Sequence, residues 1–310
     1  MSFVKLLVGK CQDSHGPSLR AGDIVQVLSE NEILATLDKS GTLQGLSFSE
    51  GMRKYCGKRC RVLKQVSKIV VEGVGIGRIN HTVILEKATC DGEAFDGCRK
   101  TCLLLWKEDW LKKIENKPEE KQSKGMIFGT GSSNCVNAGF SACQSINLFK
   151  AISPLPAGRG RVLLYLADIK SGSYSLLEVL RVIFNHTVKG FLLRENTVYT
   201  VKPGTTPTST LSLQPGELVE VKGREEIQAT LDLNGKNRGL LFTPEMIKYC
   251  GRRYRVLQRL DKMYVEEKGI MRRIANTVLL DGVTCDGTAH CGCLRTCYCM
   301  FREIWLKRVK

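Results

Sequence analysis

Residues 22–38, GDIVQVLSENEILATLD, return further along the chain as residues 216–232, GELVEVKGREEIQATLD. The match runs outward from there. MRKYCGKRCRVL (52–63) returns as MIKYCGRRYRVL (246–257), and INHTVILEKATCDG (79–92) as IANTVLLDGVTCDG (274–287). GCRKTCLLLWKEDWLKKI (97–114) returns as GCLRTCYCMFREIWLKRV (292–309). Spacing is constant apart from one residue inserted near Glu267, and about half the positions are identical. Residues 22–114 and 216–309 are therefore one module present twice. A module of this length is a domain and not a solenoid unit. The expected organisation is a first module over 1–116, a linker over 117–195 and a second module over 196–310.

Pattern predicts the elements of one copy. Asp23 to Val27 alternates after a Gly-Asp turn and reads as a strand. Residues 30–37 carry Ile33, Leu34 and Leu37 at helical spacing. Lys58–Val66 and Ile79–Leu85 read as strands, with Gly73, Gly75 and Gly77 in a hairpin loop between them. Trp106, Trp110 and Ile114 recur at helical spacing, which predicts a closing helix. The expected class is α+β: two duplicated, small β-barrel-like modules of Src-homology-like type, each with a metal-binding extension. In the linker, 117–145 is polar and rich in Gly, Ser and Asn. Residues 161–170 and 174–187 read as helices. The second is apolar enough to pack between the modules, with a membrane-surface helix as the alternative.

Each module presents one cysteine and then a cluster: Cys56 with Cys90, Cys98 and Cys102, and Cys250 with Cys285, Cys293 and Cys297. The C-x7-C-x3-C spacing is the same in both. Four thiolates suit tetrahedral zinc, so two zinc ions per chain are expected. Ferredoxin-type spacings are absent, which places iron–sulfur second. Cys56 lies in Tyr-Cys-Gly and Cys90 opens Cys-Asp-Gly, both turn signals. Cys102 is expected at the start of the closing helix, where the dipole favours a thiolate. Cys135 and Cys143 lie outside the repeat and receive no role.

The copies also differ. Phe95, Asp96 and Leu104 of the first become His290, Cys291 and Cys299 in the second. His290 and Cys291 fall inside the cysteine cluster, as extra ligands, supporting groups or a reactive thiol, or as drift on a surface loop. Other motifs exclude more than they suggest. Gly73-Val74-Gly75-Ile76-Gly77 opens no helix, and Gly129-Thr130-Gly131-Ser132 lacks a phosphate-loop lysine. There is no nucleophile elbow and no paired-histidine metalloprotease motif.

The net charge of +16 is spread along the chain and points to an anionic partner: an acidic sugar, a lipid surface or nucleic acid. Arg253 and Arg255, with Arg259 at the same parity, are expected to share a strand face, and Arg59 and Arg61 match them. Lys5 interrupts the first apolar run, so no secretory signal is read there. Cytoplasmic thiols, and unused Asn80-His81-Thr82 and Asn185-His186-Thr187 sequons, are then expected. A peripheral position at the inner face of the membrane, through residues 174–187, is the alternative placement.

The strings YCGKRCRVL…VILEKATCDGEAFDGCRKTCLLLWKEDWL and YCGRRYRVL…VLLDGVTCDGTAHCGCLRTCYCMFREIWL resemble a group of bacterial tandem-module proteins. The resemblance includes the linker stretch CQSINLFKAISPLP. The group looks to share a Cys-Asp-Gly-x-Ala-His-x-Gly-Cys pattern. The second module fits it with His290, while the first departs with Phe95. Members are often found beside polysaccharide or natural-product biosynthesis genes. The resemblance implies an accessory role in such a pathway and transfers no catalytic residue. The function expected is a zinc-stabilised binding or scaffold protein with a protein partner. Two alternatives are a metal-dependent enzyme or thiol-redox or metal carrier using the second module, and a nucleic-acid-binding protein.

Overall fold

The computed structural model describes residues 18–114, 141–187 and 206–309. In the first module, β1 (Ile24–Val27), β4 (Arg59–Gln65), β7 (Thr82–Thr89), β8 (Leu103–Lys107) and β9 (Leu111–Lys113) form one antiparallel sheet. Its order is β8-β7-β4-β1-β9, so the last strand returns to pair with the first. Two short hairpins complete the module: β2 (Thr42–Leu43) with β3 (Leu46–Ser47), and β5 (Lys68–Val71) with β6 (Gly75–Arg78).

The second module repeats the plan. Its sheet runs β17 (Tyr298–Arg302), β16 (Thr277–Thr284), β13 (Arg253–Arg259), β10 (Leu218–Val221), β18 (Leu306–Arg308). Its hairpins are β11 (Lys236–Asn237) with β12 (Leu240–Leu241), and β14 (Lys262–Val265) with β15 (Ile270–Arg273). The protein is thus two similar, barrel-like antiparallel modules with few helices.

Local chemistry explains the shared elements. α1 (Glu30–Leu34) starts at a Ser29–Glu32 capping box. The Ser29 N–H donates to the Glu32 carboxylate at 2.8 Å, and the Glu32 N–H to Ser29 Oγ at 3.4 Å. Its repeat, α4 (Arg224–Gln228), keeps half of the box, from the Gly223 N–H to Glu226. The ATLD string after each helix has a structural role: Thr36 and Thr230 accept the indole N–H of Trp110 and Trp305, each at 3.0 Å. Both tryptophans are fully buried. Replacing either by Ala should cost about 3–5 kcal/mol.

The expected closing helix does not form. Trp106 lies in β8, Trp110 in a single 3-10 turn (Glu108–Trp110), and the chain continues as β9. β8 is buried along most of its length, so its apolar residues form a run without alternation, and the tryptophan spacing imitates a helical face. Cys102 accordingly precedes a strand, and no helix dipole acts on it.

In the linker, α2 (Arg159–Lys170) and α3 (Leu176–Thr187) form where helices are expected. A Ser175–Glu178 capping pair opens α3. Residues 141–145 carry one isolated bridge, Ser141 to Ser49, and the start of a 3-10 turn (Gln144–Ile146), while 117–140 lie outside the described residues. No described helix is long and apolar enough to cross a membrane.

The modules exchange loops about a pseudo-twofold axis. The Arg99 N–H donates to the Lys262 carbonyl at 2.8 Å, and the corresponding Leu294 N–H to the Lys68 carbonyl at 3.0 Å. Cys293 and Leu294 of the second module pack into the first module's core. Reciprocally, Cys98 and Phe95 of the first pack with Leu260 and Tyr264 of the second. The buried Glu266 sits at this interface with Arg295 at 2.5 Å and Lys100 at 3.5 Å. Lys100 also reaches Glu72, the counterpart of Glu266, at 3.2 Å.

Candidate functional site

The Cys-Asp-Gly turns place the cysteine loops. Gly92 and Gly287 have φ of +75° and a Cβ there would lie 1.8 and 1.9 Å from the carbonyl oxygens of Cys98 and Cys293. Only glycine fits, so each loop folds back on its second cysteine. The next strand is tied to the same place, because the N–H groups of Cys90 and Cys285 donate to Cys102 and Cys297, each at 2.8 Å.

The sequence-predicted thiol quartets do not close up. Cys56 lies beside Glu30 and Arg53, and Cys250 beside Arg224, with no other thiol acting on either. Both end 3-10 turns whose following glycine pairs with β1 or β10. Cys90 instead neighbours Cys98 and the linker's buried Cys143. Cys102 and Cys297 face each other across the modules, lining one small cavity with Lys100 and Arg295. Burial pushes the Cys56 and Cys90 thiols up to about 11 and Cys102 to about 12, so these remain protonated thiols near neutral pH. Cys135 lies outside the described residues.

One group of ligand atoms does converge. Among the described residues, Glu245, Cys285 and His290 alone bring three potential ligand atoms within 4.8 Å of one another. The His290 Nε2 lies 3.1 Å from Glu245 Oε1. This hydrogen bond, followed by the carboxylate's charge, raises the His290 pKa against the effect of burial. Cys285 is raised strongly, first by burial and then by Glu245, while the Gly287 N–H donates to its sulfur at 3.3 Å. Glu245 is buried, and its Oε2 has no hydrogen-bond partner. Such an orphaned carboxylate oxygen is costly in a protein interior.

The trio opens onto a cleft of about 300 Å³. Cys293, Cys297 and Cys299 line it from the second module, Val70, Glu72 and Lys100 from the first. Burial and then Glu245 push Cys299 up to about 12. Cys293 accepts the Val70 N–H at 3.2 Å across the cleft wall. Cys291 stands at φ +53°, next to Gly292, whose built Cβ would lie 3.6 Å from the Tyr165 ring. Thus His290 joins the site and Cys299 lines its cleft, while Cys291 is not among the lining residues.

Glu245 is the residue that sequence reasoning missed. Its counterpart is Gly51, so a search for shared ligands passes over it. Comparing the copies for unshared ones finds it: Gly51 and Phe95 in the first module stand for Glu245 and His290 in the second.

The expected basic face is partly neutralised. Arg253 pairs with Glu220 at 3.3 Å, and Arg259 with the buried Glu303 at 3.2 Å and with Asp261 at 3.6 Å. Arg255 donates to the Gly216 carbonyl, and Arg61 lies 4.0 Å from Glu86. Arg59 is exposed. On α3, Val179 and Val182 pack inward while Leu176, Leu177, Leu180 and Phe184 remain exposed.

Comparison of the chain with protein-family models, curated proteins and solved structures finds no significant match.

Proposed function

We propose that the second module holds one zinc-class metal ion on Glu245, Cys285 and His290, and that the protein works through this centre as a metal-dependent enzyme or metal carrier. The first module and the linker helices serve as the frame. The carrying observation is the convergence of a carboxylate, a thiol and an imidazole at one cleft, with a buried carboxylate oxygen left unpartnered. Mixed N, O and S donors suit zinc, and three protein ligands leave a fourth position for a small molecule. Bound there, the metal would supply Lewis acidity or an activated water. Cys285 must ionise to bind, and a cation reverses the penalty that burial and Glu245 impose on its thiolate. Glu245 would both ligate and orient the His290 ring.

This reading supports one site per chain in place of two all-thiolate sites. It fits the resemblance to bacterial accessory proteins of biosynthetic pathways and a cytoplasmic location, where thiols stay reduced. A scaffold role is the second reading. It is favoured by the exposed apolar residues of α3, which suit a protein or membrane-surface partner.

The test is metal content of the full chain by elemental analysis and native mass spectrometry. One zinc per chain is expected. Glu245→Gln or His290→Phe should weaken binding at least about tenfold, and Cys56→Ala should leave it intact. A metal-free protein, or one whose metal survives both site substitutions, would overturn the proposal.

A further inference from the structure

The two modules carry the same groove, and among the described residues only the first module's is filled. In the first module the linker occupies it. Ser153 bridges the edge of β6 antiparallel to Arg78, with N–H to carbonyl distances of 2.7 and 2.9 Å. Ile152 presses on Gly77, where a Cβ would lie 2.7 Å from its own Cβ. Lys150 crosses Gly45, whose Cβ would lie 2.2 Å from the Lys150 carbonyl oxygen. Beneath this segment Leu46 and Leu105 are buried.

The corresponding place in the second module is an open cavity of about 700 Å³. The counterparts of Leu46 and Leu105, Leu240 and Met300, line it and are only partly buried. Gly239, counterpart of Gly45, has nothing within 4 Å of a built Cβ. The walls have changed charge. Gln44 becomes Arg238, Gly77 becomes Arg272 and Lys107 becomes Arg302, with Arg273 beside them.

No carboxylate is paired with these four arginines among the described residues. Arg302 donates to the carbonyls of Asn237, Arg238 and Ala275 and to Thr277. Its pKa is lowered by burial and then by Arg238 and Arg272. The lining's own acids are engaged elsewhere: Asp232 accepts the N–H groups of Asn234 and Lys236, and Glu72 binds Lys100.

We infer that this groove binds an extended acidic peptide from a partner protein. The peptide would add to the edge of β15 at Arg273 as Ser153 adds to β6 at Arg78. Its apolar side chains would cover Leu240 and Met300, and its carboxylates would pair with Arg238, Arg272 and Arg302. A strand edge and an apolar floor that are uncovered among the described residues favour a peptide over a polyanion, which uses charge alone. The inference does not rest on the metal reading, although Leu240, Met300 and Glu72 also line the metal cleft.

The probe is an array of nine-residue peptides with Glu fixed at two positions and Leu or Ile at a third, read by fluorescence anisotropy against the full chain. Heparin hexasaccharide and a single-stranded oligonucleotide serve as comparators. A subset of peptides should bind. Arg238→Glu with Arg272→Glu, both exposed, should weaken that binding at least about tenfold, with unfolding temperature unchanged. N-methylation of the peptide residue facing Arg273 should abolish it, and Glu245→Gln should not affect it. Absence of any bound peptide, binding indifferent to the two arginines or to N-methylation, or arginine-dependent binding of heparin or oligonucleotide only, would overturn the inference.

Discussion

Gly51 stands in the first module where Glu245 stands in the second. A Cβ built on Gly51 would lie 3.6 Å from the sulfur of Cys90, the counterpart of Cys285. That is ordinary contact, so a side chain can start from Gly51 without a clash, beside a thiol already in place and the Asp91 carboxylate at 3.9 Å. On the proposed one-ion centre, Gly51→Glu with Phe95→His should add a second ion per chain. A value that stays at one, with the native site still loaded, would show that more than these two side chains separates the modules.

Glu266 governs the acid stability of the interface. Burial pushes its carboxyl up, but the hydrogen bond and charge of Arg295 and the charge of Lys100 prevail and hold it at about 2. A depressed carboxyl adds stability that is present above its unfolded value near 4.5 and is lost as pH falls toward 2. Glu266→Gln would strand the buried Arg295 guanidinium, while Lys100 keeps Glu72, at a cost of about 3–5 kcal/mol. Urea unfolding at pH 7 should show that loss, and the acid-unfolding curve of the variant should be flatter between these values. A variant as stable as the parent would mean that the guanidinium finds another partner.

Lys107 should produce an alkaline effect of the same sign, because its pKa is lowered too. Burial lowers it to about 8, with Asp109 and Glu108 acting the other way, while its amine donates to Gln44 and Asn80. The unfolded chain binds more protons than the folded one between about 8 and 10.5, so stability rises with pH across that window. Lys107→Met should abolish the rise. Denaturant midpoints at pH 7.5, 9 and 10 check this, and parallel profiles for parent and variant would refute it.

Gly92 and Gly57 share a left-handed backbone but not their surroundings. The φ values are +75° and +73°, yet a Cβ on Gly57 meets nothing within 4 Å while one on Gly92 collides with Cys98. Gly57→Ala should cost about 1 kcal/mol. Gly92→Ala should cost at least about 3 kcal/mol or prevent folding. Equal losses in thermal unfolding would show that the Cys-Asp-Gly turn relaxes more than its geometry allows.

The duplication and the strand through Arg59 were legible because each leaves a local signature, identity or alternation; β5 and β6 were not, because the glycines of β6 read as a loop. The turn around Trp110 was not, because a strand buried on most sides carries no alternation and two tryptophans four apart suit a helix equally well. The site was legible in part. His290 showed as a difference between copies, but weighing shared thiols drew attention to Cys56 and Cys250, which lie away from the other thiols. Glu245 follows Pro244 in a segment that looks like ordinary surface, and only tertiary packing brings it beneath Cys285.

The exchange of cysteine loops has a consequence for how such a protein can diversify. Were the two modules separate, identical chains joined through the same dyad, every substitution would appear on both sides of it. A carboxylate added beside one thiol would be added beside the other, and a groove opened once would be opened twice. Covalent tethering removes that constraint while keeping the reciprocal seating of Leu294 on Lys68 and Arg99 on Lys262. One half is then free to change while the other keeps the complementary contacts against which it packs.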